Sequence, residues 1–520
     1  MATMMTRKPF RGMSICIVLG VVVAGSRLMA ADQPQWGQRY SRNMVSNETG
    51  LPENPDPKES KNVKWSAALG TRTYGTPVIA KGKVLIGTNN EKPRDPTHRG
   101  DRGVLMCLDE KDGRFHWQLV VPKSDEFSDW PRTGLVSPAT VEGDRVYLLT
   151  NRGEVACLDL NGLSNGNDGP FKDEARHLTP ADEPVEKLTA TDADILWLFD
   201  MAKEVGIHQH DSGHCSILQH GRYLYACTSN GVDKSHLHVP APNAPSLVVL
   251  DKMTGRLAAT DGQRIGPQII HCTWSSPSVG KINGRPLVFF AGGDAVCYAF
   301  DALSEKPPKK PSAKAPVKLN RVWRFDCDPK APKKDVHKFQ DNRVKGPSHI
   351  SGMPVIHKGR IYVTVGGDIW HGKREAWLKC IDATKTGDVT SGGEIWSYPL
   401  KRHCVCTPAI HDGLVYITDC GRYVHCVDAK TGKAHWTHKT HGEIWSSPLV
   451  ADGKVYVGTR RGGLWVFAAG KTKKILSETQ FGAPINGSPV AANGVLYIAT
   501  VSRLYAFQKP AKQKKTPQAR

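Results

Sequence analysis

The sequence lacks the features that would assign it to several common protein classes. Beyond Ala24, the 520-residue chain has no apolar run long enough to cross a bilayer. It contains no nucleophile elbow, His-Glu-x-x-His motif, P-loop or dinucleotide-binding glycine fingerprint, so the common signatures of α/β-hydrolases, zinc peptidases, NTPases and Rossmann dehydrogenases are missing. Its 39% hydrophobic and 23% charged residues fit a soluble globular protein and argue against a disordered one.

The N-terminus has the three parts of an export signal. Arg7, Lys8 and Arg11 are followed by an apolar stretch over residues 13–24, and the small residue Ala30 precedes the mature-like sequence. We therefore predict a signal peptide over residues 1–30, no transmembrane segment in the mature chain, and a periplasmic or secreted location. The alternative is a retained N-terminal anchor helix.

The thirteen cysteines do not settle whether disulfides form. Four of them stand two residues before an Asp, where other copies of the same pattern carry Val249 or Ala299: Cys107, Cys157, Cys380 and Cys426. A position that accepts Cys, Val or Ala is typical of a small apolar core site, so we expect these four to pack in the core. Disulfide pairing in an oxidising compartment is the alternative.

The net charge of +20 is concentrated in segments rich in Lys and Pro, at 305–318, 328–334 and 509–520. Such segments are typical of solvated insertions, and we predict a disordered basic tail over 509–520. No aromatic residues interleave with these charges, so we predict no nucleic-acid partner. Attraction to an anionic cell surface stays open.

One pattern recurs eight times along the chain. Each copy has a short apolar strand, usually opened by a small residue and Pro, then a turn that contains Gly, and a second, alternating strand. The copies begin at Tyr74, Leu135, His214, Trp274, Ser351, Val405, Trp445 and Asn486. In most copies a third strand ends in Asp and a fourth carries Trp, as in the stretch from Asp428 to Trp436. We expect Asp428 to accept hydrogen bonds from the turn backbone.

Four strands in each repeat of about 40 residues or more predict an all-β fold, an eight-bladed β-propeller of four-stranded blades. We place it at residues 62–508, after an N-terminal extension over 31–61. The eighth copy stops after its third strand, and residues 62–69, which contain Trp65, resemble the missing fourth strand. A ring closed by that N-terminal strand has no free sheet edges. A linear solenoid would need capping repeats, and none is visible.

The sequence Asp-Ala-Lys-Thr-Gly-Lys-Ala-His-Trp, at 428–436, resembles the tryptophan-docking motif of pyrroloquinoline quinone (PQQ) propellers. That superfamily includes the quinoprotein alcohol dehydrogenases and the non-catalytic BamB propellers of the bacterial envelope. The resemblance implies one of two functions. The first is an exported, non-catalytic binding or scaffold protein of the cell envelope, similar in kind to BamB. The alternative is a PQQ-dependent oxidoreductase of the alcohol or sugar dehydrogenase type with an atypical axial site.

The dehydrogenase pattern is incomplete in this chain. The family carries a vicinal Cys-Cys pair beside PQQ and its calcium ion, and the nearest approach here is Cys404-Val405-Cys406. We therefore favour a protein without PQQ and calcium, and we assign no catalytic residues.

A candidate ligand pocket lies where the blades begin, because the residues before each first strand surround the axis of a propeller. Aligned three and five positions before the blade proline, this set includes Arg72, Tyr74, His214, Trp274, His349, His403, Glu443, Trp445 and Asn486. We predict a pocket for a polar small ligand or water, and no metal. Residues 208–211 alternate as metal ligands can, but a loop fits them as well and is favoured. Protein partners on the blade-end loops are the other possibility.

Overall fold

The computed structural model of the chain describes residues 31–124, 127, 130–305 and 316–510. The predicted signal peptide at 1–30, and residues 511–520 of the predicted tail, lie outside these described residues. Within them, no helix is both long and apolar enough to traverse a membrane.

The described residues form 34 β-strands and a few short helical turns. In chain order the strands are β1 Val63–Ala68, β2 Val78–Ala80, β3 Lys83–Asn89, β4 Arg102–Asp109, β5 Phe115–Pro122, β6 Thr140–Glu142, β7 Arg145–Leu149, β8 Glu154–Asp159, β9 Ile195–Asp200, β10 Leu218–His220, β11 Tyr223–Cys227, β12 Leu247–Asp251, β13 Leu257–Thr260, β14 Ser278–Ile282, β15 Arg285–Ala291, β16 Val296–Asp301, β17 Val317–Lys318, β18 Arg321–Asp326, β19 Val355–His357, β20 Arg360–Gly366, β21 Ala376–Asp382, β22 Gly387–Asp388, β23 Glu394–Pro399, β24 Ala409–His411, β25 Leu414–Asp419, β26 Tyr423–Asp428, β27 Ala434–Lys439, β28 Leu449–Ala451, β29 Lys454–Gly458, β30 Gly463–Ala468, β31 Ile475–Gln480, β32 Val490–Ala492, β33 Val495–Ala499 and β34 Arg503–Phe507. The helical turns are α1 Glu174–Leu178, α2 Met201–Val205 and the 3₁₀ turns Gly162–Asn165, Gly266–Gln268 and Val336–Phe339.

These strands form eight sheets, each an antiparallel blade of four strands. Blades 1 to 8 start with β2, β6, β10, β14, β19, β24, β28 and β32. Blades 3 and 4 gain a short parallel outer strand, β17 and β22. The predicted eight-bladed β-propeller is therefore confirmed.

Blade 8 is completed by the N-terminal strand, as predicted. β1 pairs antiparallel with β34, and Trp65 lies opposite Ala506 in that register. Trp65 is buried in one apolar cluster with Val84 of blade 1 and Tyr497 of blade 8, so the closing strand also joins the last blade to the first.

Apolar clusters join every neighbouring pair of blades around the ring. The second strand of six blades contributes a fully buried tyrosine: Tyr147, Tyr225, Tyr362, Tyr416, Tyr456 and Tyr497. The cysteines in the described part of the chain are all buried and unpaired, including the four predicted to pack in the core. Burial of this apolar surface between blades is the main favourable contribution to stability.

Tryptophans of the outer strands join six of the eight blades to the next blade. Six indole Nε1–H groups donate to a backbone carbonyl of the following blade: Trp65 to Glu110 (2.9 Å), Trp117 to Leu160 (2.9 Å), Trp197 to Lys252 (3.3 Å), Trp323 to Ala383 (3.2 Å), Trp396 to Ala429 (3.2 Å) and Trp436 to Gly470 (3.0 Å). Asp428 accepts hydrogen bonds from the N–H groups of Lys430 and Thr431, which fixes the turn that receives Trp396.

The N-terminal segment 33–46 follows the ring and bonds to the first strand of every blade. Its contacts, in blade order, are Gln33 with Ile79, Pro34 with Val141, Arg39 with Gln219, Tyr40 with Val279, Ser41 with Ile356, Asn43 with Ile410, Met44 with Val450 and Ser46 with Ala491. At its centre the buried Arg42 donates to the carbonyl oxygens of Ser216 and Pro277. We call residues 33–46 the plug, because they cross one end of the ring.

Candidate functional site

A cavity of about 410 Å³ lies at the other end of the ring axis, where the first strands begin. All eight blades contribute to its wall, since it includes Tyr74, Val136, His214, Trp274, Ser351, Val405, Trp445 and Asn486. Trp36 reaches it from the plug, and Trp130 and Trp370 reach it from loops. The cavity volume falls in the usual range of small-molecule sites, about 300–1,000 Å³.

The predicted axial residues separate into three groups. Five of the predicted pocket residues line the cavity, namely His214, Trp274, Glu443, Trp445 and Asn486, and so does Tyr74. His349 and His403 are buried behind this wall. The ring of His349 lies 6.4 Å from that of Trp274, and His403 has a ring nitrogen within 4.8 Å of a Glu443 oxygen. Arg72 is not part of the lining, because its guanidinium donates to the carbonyl of Pro131, 3.0 Å away.

One side of the cavity is an aromatic surface with a neutralised charge pair. The Arg460 guanidinium lies 3.9 Å from the centroid of the Trp445 ring and donates to Glu443 over 2.9 Å. Tyr74 also stacks on Trp445, with ring centroids 6.3 Å apart. Sequence alignment of the blades did not find Arg460, because it follows a second strand and not the start of a first one.

Several buried polar atoms of the wall have no hydrogen-bond partner within the described protein. They include Nε1 of Trp274, Nε1 of Trp445 and Oδ1 of Asn486. Buried polar groups in native proteins are normally paired, so unpaired groups at a cavity mark positions where a bound molecule or water supplies the partner.

Burial shifts the pKa values of two titratable residues in the cavity wall. Desolvation lowers the pKa of His214 to about 4, so its imidazole is neutral at physiological pH. Burial raises the pKa of Asp211 to about 6. With Glu443 paired to Arg460, the unpaired charge of the wall near pH 7 is that of the Asp211 carboxylate, so the wall is slightly negative.

A cluster of histidines borders the cavity at the same end of the ring. His210 precedes blade 3, His271 precedes blade 4, and His236 lies in the loop between β11 and β12. One nitrogen from each of the three lies within 4.8 Å of the others. Asp368 and His371, from the loop between β20 and β21, bond to His271 and His236. We call these five residues the histidine cluster.

Sequence reasoning found only part of this cluster. The alternation at 208–211 pointed to His210, and the loop favoured there is what the structure has, with an isolated bridge from Gln209 to Asn230. No sequence pattern pointed to His236, Asp368 or His371, because these residues belong to loops outside the repeated strands.

A second group of possible ligands joins His403, Cys420 and Glu443. Burial raises the pKa of the Cys420 thiol well above its usual value, which keeps it protonated. A protonated thiol is a poor metal ligand.

Comparison with known proteins adds to this geometry. The profile of the family described as outer membrane protein assembly factor BamB matches residues 57–169 and 374–509. Those segments cover blades 1, 6, 7 and 8 and parts of blades 2 and 5. The chain is a β-propeller of the PQQ-like repeat type. The histidine cluster of this propeller lies in residues 170–373, outside the matched segments.

The relatives of this PQQ-like propeller are distant. A quinohemoprotein alcohol dehydrogenase of Comamonas testosteroni is 26% identical over 136 residues, which are 23% of this chain and 19% of that enzyme. The aligned part thus spans less than a fifth of the curated relative. The crystal structure of quinohemoprotein alcohol dehydrogenase from the same organism superposes with a TM-score of 0.55 at 13% identity, covering 94% of this chain and 82% of that one.

The structure of BamB from Moraxella catarrhalis has a TM-score of 0.47 at 13% identity, covering 86% of this chain and 98% of that one. At 13% identity, the likeness to the quinohemoprotein alcohol dehydrogenase structure establishes only a shared fold.

Proposed function

We propose that this propeller is an exported, non-catalytic binding protein of the cell envelope that holds a neutral small molecule in its axial cavity. The proposal rests on the cavity wall, which combines indole rings with polar atoms that have no partner in the described protein. Blade-end loops around the same opening are positioned to dock a protein partner.

The wall indicates the chemistry of the ligand. Trp274 and Trp445 offer flat apolar faces, and their Nε1–H groups are hydrogen-bond donors without an acceptor among the described residues. Asn486 Oδ1 is likewise an acceptor without a donor there. A mono- or disaccharide meets all three requirements, because its C–H faces pack on aromatic rings and its hydroxyls both donate and accept. The negative charge of Asp211 in the wall favours a neutral sugar over an anionic one.

Calorimetry and intrinsic tryptophan fluorescence with a panel of neutral mono- and disaccharides test this proposal. We expect at least one sugar to bind the wild-type protein. Trp274→Ala and Trp445→Ala should each weaken that binding tenfold or more, which corresponds to a loss of about 1.4 kcal/mol.

Trp377→Ala is the matched control, because Trp377 lies on β21 and not in the cavity wall. It should bind the sugar as the wild type does. Absence of binding by every sugar at millimolar concentration, or full affinity in both cavity variants, would contradict the proposal.

A PQQ-dependent oxidoreductase is the second candidate, favoured by the partial match to quinohemoprotein alcohol dehydrogenases. The cavity does not fit this cofactor pair well. Calcium takes six to eight oxygen ligands, whereas the described wall carries two carboxylates, of which Glu443 is already bound to Arg460. PQQ carries three carboxylates, and the same arginine is the one guanidinium in the described wall.

Incubation with PQQ and calcium, followed by a dye-linked dehydrogenase assay on alcohols and sugars, separates the two candidates. The binding proposal expects neither stoichiometric PQQ uptake nor turnover. Turnover that requires both additions would replace it with the oxidoreductase.

A further inference from the structure

The three closest imidazoles of the histidine cluster face one another across a small gap. The ring centroids of His210 and His271 are 4.7 Å apart, and His236 lies 4.8 and 4.9 Å from them. His210 and His271 are each 1% exposed. A buried group of this kind must have its polar atoms paired, and the pairing determines where each proton lies.

The hydrogen bonds fix the tautomers of the two buried histidines. His210 Nδ1 lies 2.7 Å from the carbonyl oxygen of Val232, which can only accept, so Nδ1 carries the proton. His271 Nδ1 lies 2.6 Å from Asp368 Oδ2. A carboxylate oxygen accepts this hydrogen bond, so His271 Nδ1 carries a proton. The Nε2 atom of His210 therefore presents a lone pair, and so does that of His271 when its imidazole is neutral.

Those two Nε2 atoms lie 2.9 Å apart. Two lone pairs at this separation repel unless a positive species lies between them. A proton between them would be held by these two imidazoles only, whereas a metal cation can also bind the third imidazole, His236, which has a nitrogen within 4.8 Å of both. The convergence of three imidazole nitrogens on one point favours a metal cation.

We propose that His210, His236 and His271 bind a borderline divalent cation of the zinc class, with Asp368 positioning His271. Neutral imidazole nitrogens are preferred ligands of Zn²⁺ and Cu²⁺. Two nitrogens bound to one tetrahedral zinc at about 2.0–2.1 Å lie roughly 3.4 Å apart, so the pair must separate by about half an ångström. The bond from Asp368 to the far nitrogen of His271 is the arrangement that orients a metal-ligating histidine.

His371 is placed to complete the coordination. Its Nε2 lies 3.2 Å from His236 Nδ1, and its own Nδ1 is buried without a partner in the described protein. Its ring centroid is 5.5 Å from that of His271. A fourth nitrogen from this residue would give the closed tetrahedral set of a structural zinc site.

Two of the three long connections between second and third strands supply the site, and the third, at 90–101 in blade 1, does not. The connection between second and third strands occupies 228–246 in blade 3 and 367–375 in blade 5. The same connection is 150–153, 292–295, 420–422, 459–462 and 500–502 in blades 2, 4, 6, 7 and 8. His236 also has a left-handed backbone, with φ of +60°, which side chains other than glycine rarely adopt.

Zinc binding by the full chain, after treatment with a chelator and dialysis, tests this site. Calorimetry and elemental analysis should give one Zn²⁺ per chain, and Co²⁺ in its place should show the intense visible absorption of a tetrahedral complex. His236→Ala should abolish binding at micromolar zinc. Asp368→Asn should weaken it about 10- to 100-fold, the usual effect of removing such a partner.

His403→Ala is the matched control, because it alters the other candidate group and should leave the stoichiometry unchanged. His236 is only half-buried and lies in a loop, so its replacement should preserve the fold, which thermal unfolding in chelator verifies. Zinc should raise the Tm of the wild type and not that of His236→Ala.

Three results would overturn the proposal. They are absence of zinc binding by the wild type at micromolar concentration, loss of binding in His403→Ala with retention in His236→Ala, and a weak, octahedral Co²⁺ spectrum.

Discussion

At the scale of single residues, the contact between a turn glycine and a tryptophan recurs from blade to blade. A Cβ on Gly432 would lie 2.7 Å from Cδ2 of Trp396, and the glycine has φ of +73°. The same closeness joins Gly113 to Trp65, Gly162 to Trp117 and Gly255 to Trp197. Glycine is thus required at these turns for two reasons. It adopts the left-handed backbone conformation, and it leaves the space that the indole fills.

A matched pair of glycines in blade 6 separates these two requirements. Gly413 has φ of +76°, and a Cβ added to it would meet no described atom within 4 Å, so Gly413→Ala should cost only backbone strain, about 1–2 kcal/mol. Gly432→Ala should cost roughly 1–3 kcal/mol more, because the indole must move. Urea unfolding of both variants measures the difference. Equal destabilisation would show that Trp396 adapts without cost.

The candidate site shows how far residue positions could be predicted. Alignment on the blade proline brought His214, Trp274, Glu443, Trp445 and Asn486 to one cavity, because the strand register repeats from blade to blade. Arg72 obeys the same register, but its long side chain turns to the carbonyl of Pro131. His236 and Asp368 were not predictable, because loop residues do not follow the repeat that relates the strands of one blade to those of the next.

At the scale of secondary-structure elements, the four-stranded blades and the closing strand β1 were predictable, and the plug was not. Alternating apolar residues and Trp65 identify strands. The plug bonds mainly through backbone carbonyls, such as those of Pro34, Tyr40 and Met44, and these leave no side-chain pattern in the sequence. It was therefore predicted only as an extension over 31–61.

Two deletions separate the contributions of the plug and of the closing strand. Removal of residues 32–46 loses the bonds to the first strands and exposes the partners of Arg42. Removal of residues 32–70 also frees the edge of β34 and takes away the buried Trp65, which alone is worth about 3–5 kcal/mol by analogy with other large core truncations.

Thermal unfolding should show a lower Tm for both deletions and the greater fall for the longer one. Trp130→Ala serves as a control, because that side chain is 52% exposed and its loss should change the Tm little. An unchanged Tm after removal of 32–70 would mean that β1 does not hold the ring closed.

At the scale of the whole molecule, a ring without free edges leaves its loops and its two ends as the surfaces available for function. One end is crossed by the plug, and the other holds the cavity and the histidine cluster. The first residue after the predicted signal peptide is Ala31, two residues before the plug begins.

The last prediction concerns that residue. The backbone nitrogen of Ala31 donates to Oε1 of Glu48 over 2.8 Å, and Glu48 Oε2 accepts from the N–H of Gly494 in blade 8. Glu48 is buried. Cleavage after Ala30 would turn the Ala31 nitrogen into an ammonium group beside this carboxylate, which strengthens the bond from that of a neutral amide to that of a charge pair.

We therefore expect the protein recovered from the cell envelope to have the mass of a chain that begins at Ala31. Glu48→Gln should destabilise this processed chain by roughly 1.5–3 kcal/mol, the range for hydrogen bonds to charged groups. The same substitution should cost less in an unprocessed chain, where Ala31 keeps a neutral amide. An intact mass that includes residues 1–30, or equal losses in the two forms, would mean that the new N-terminus does not pair with Glu48.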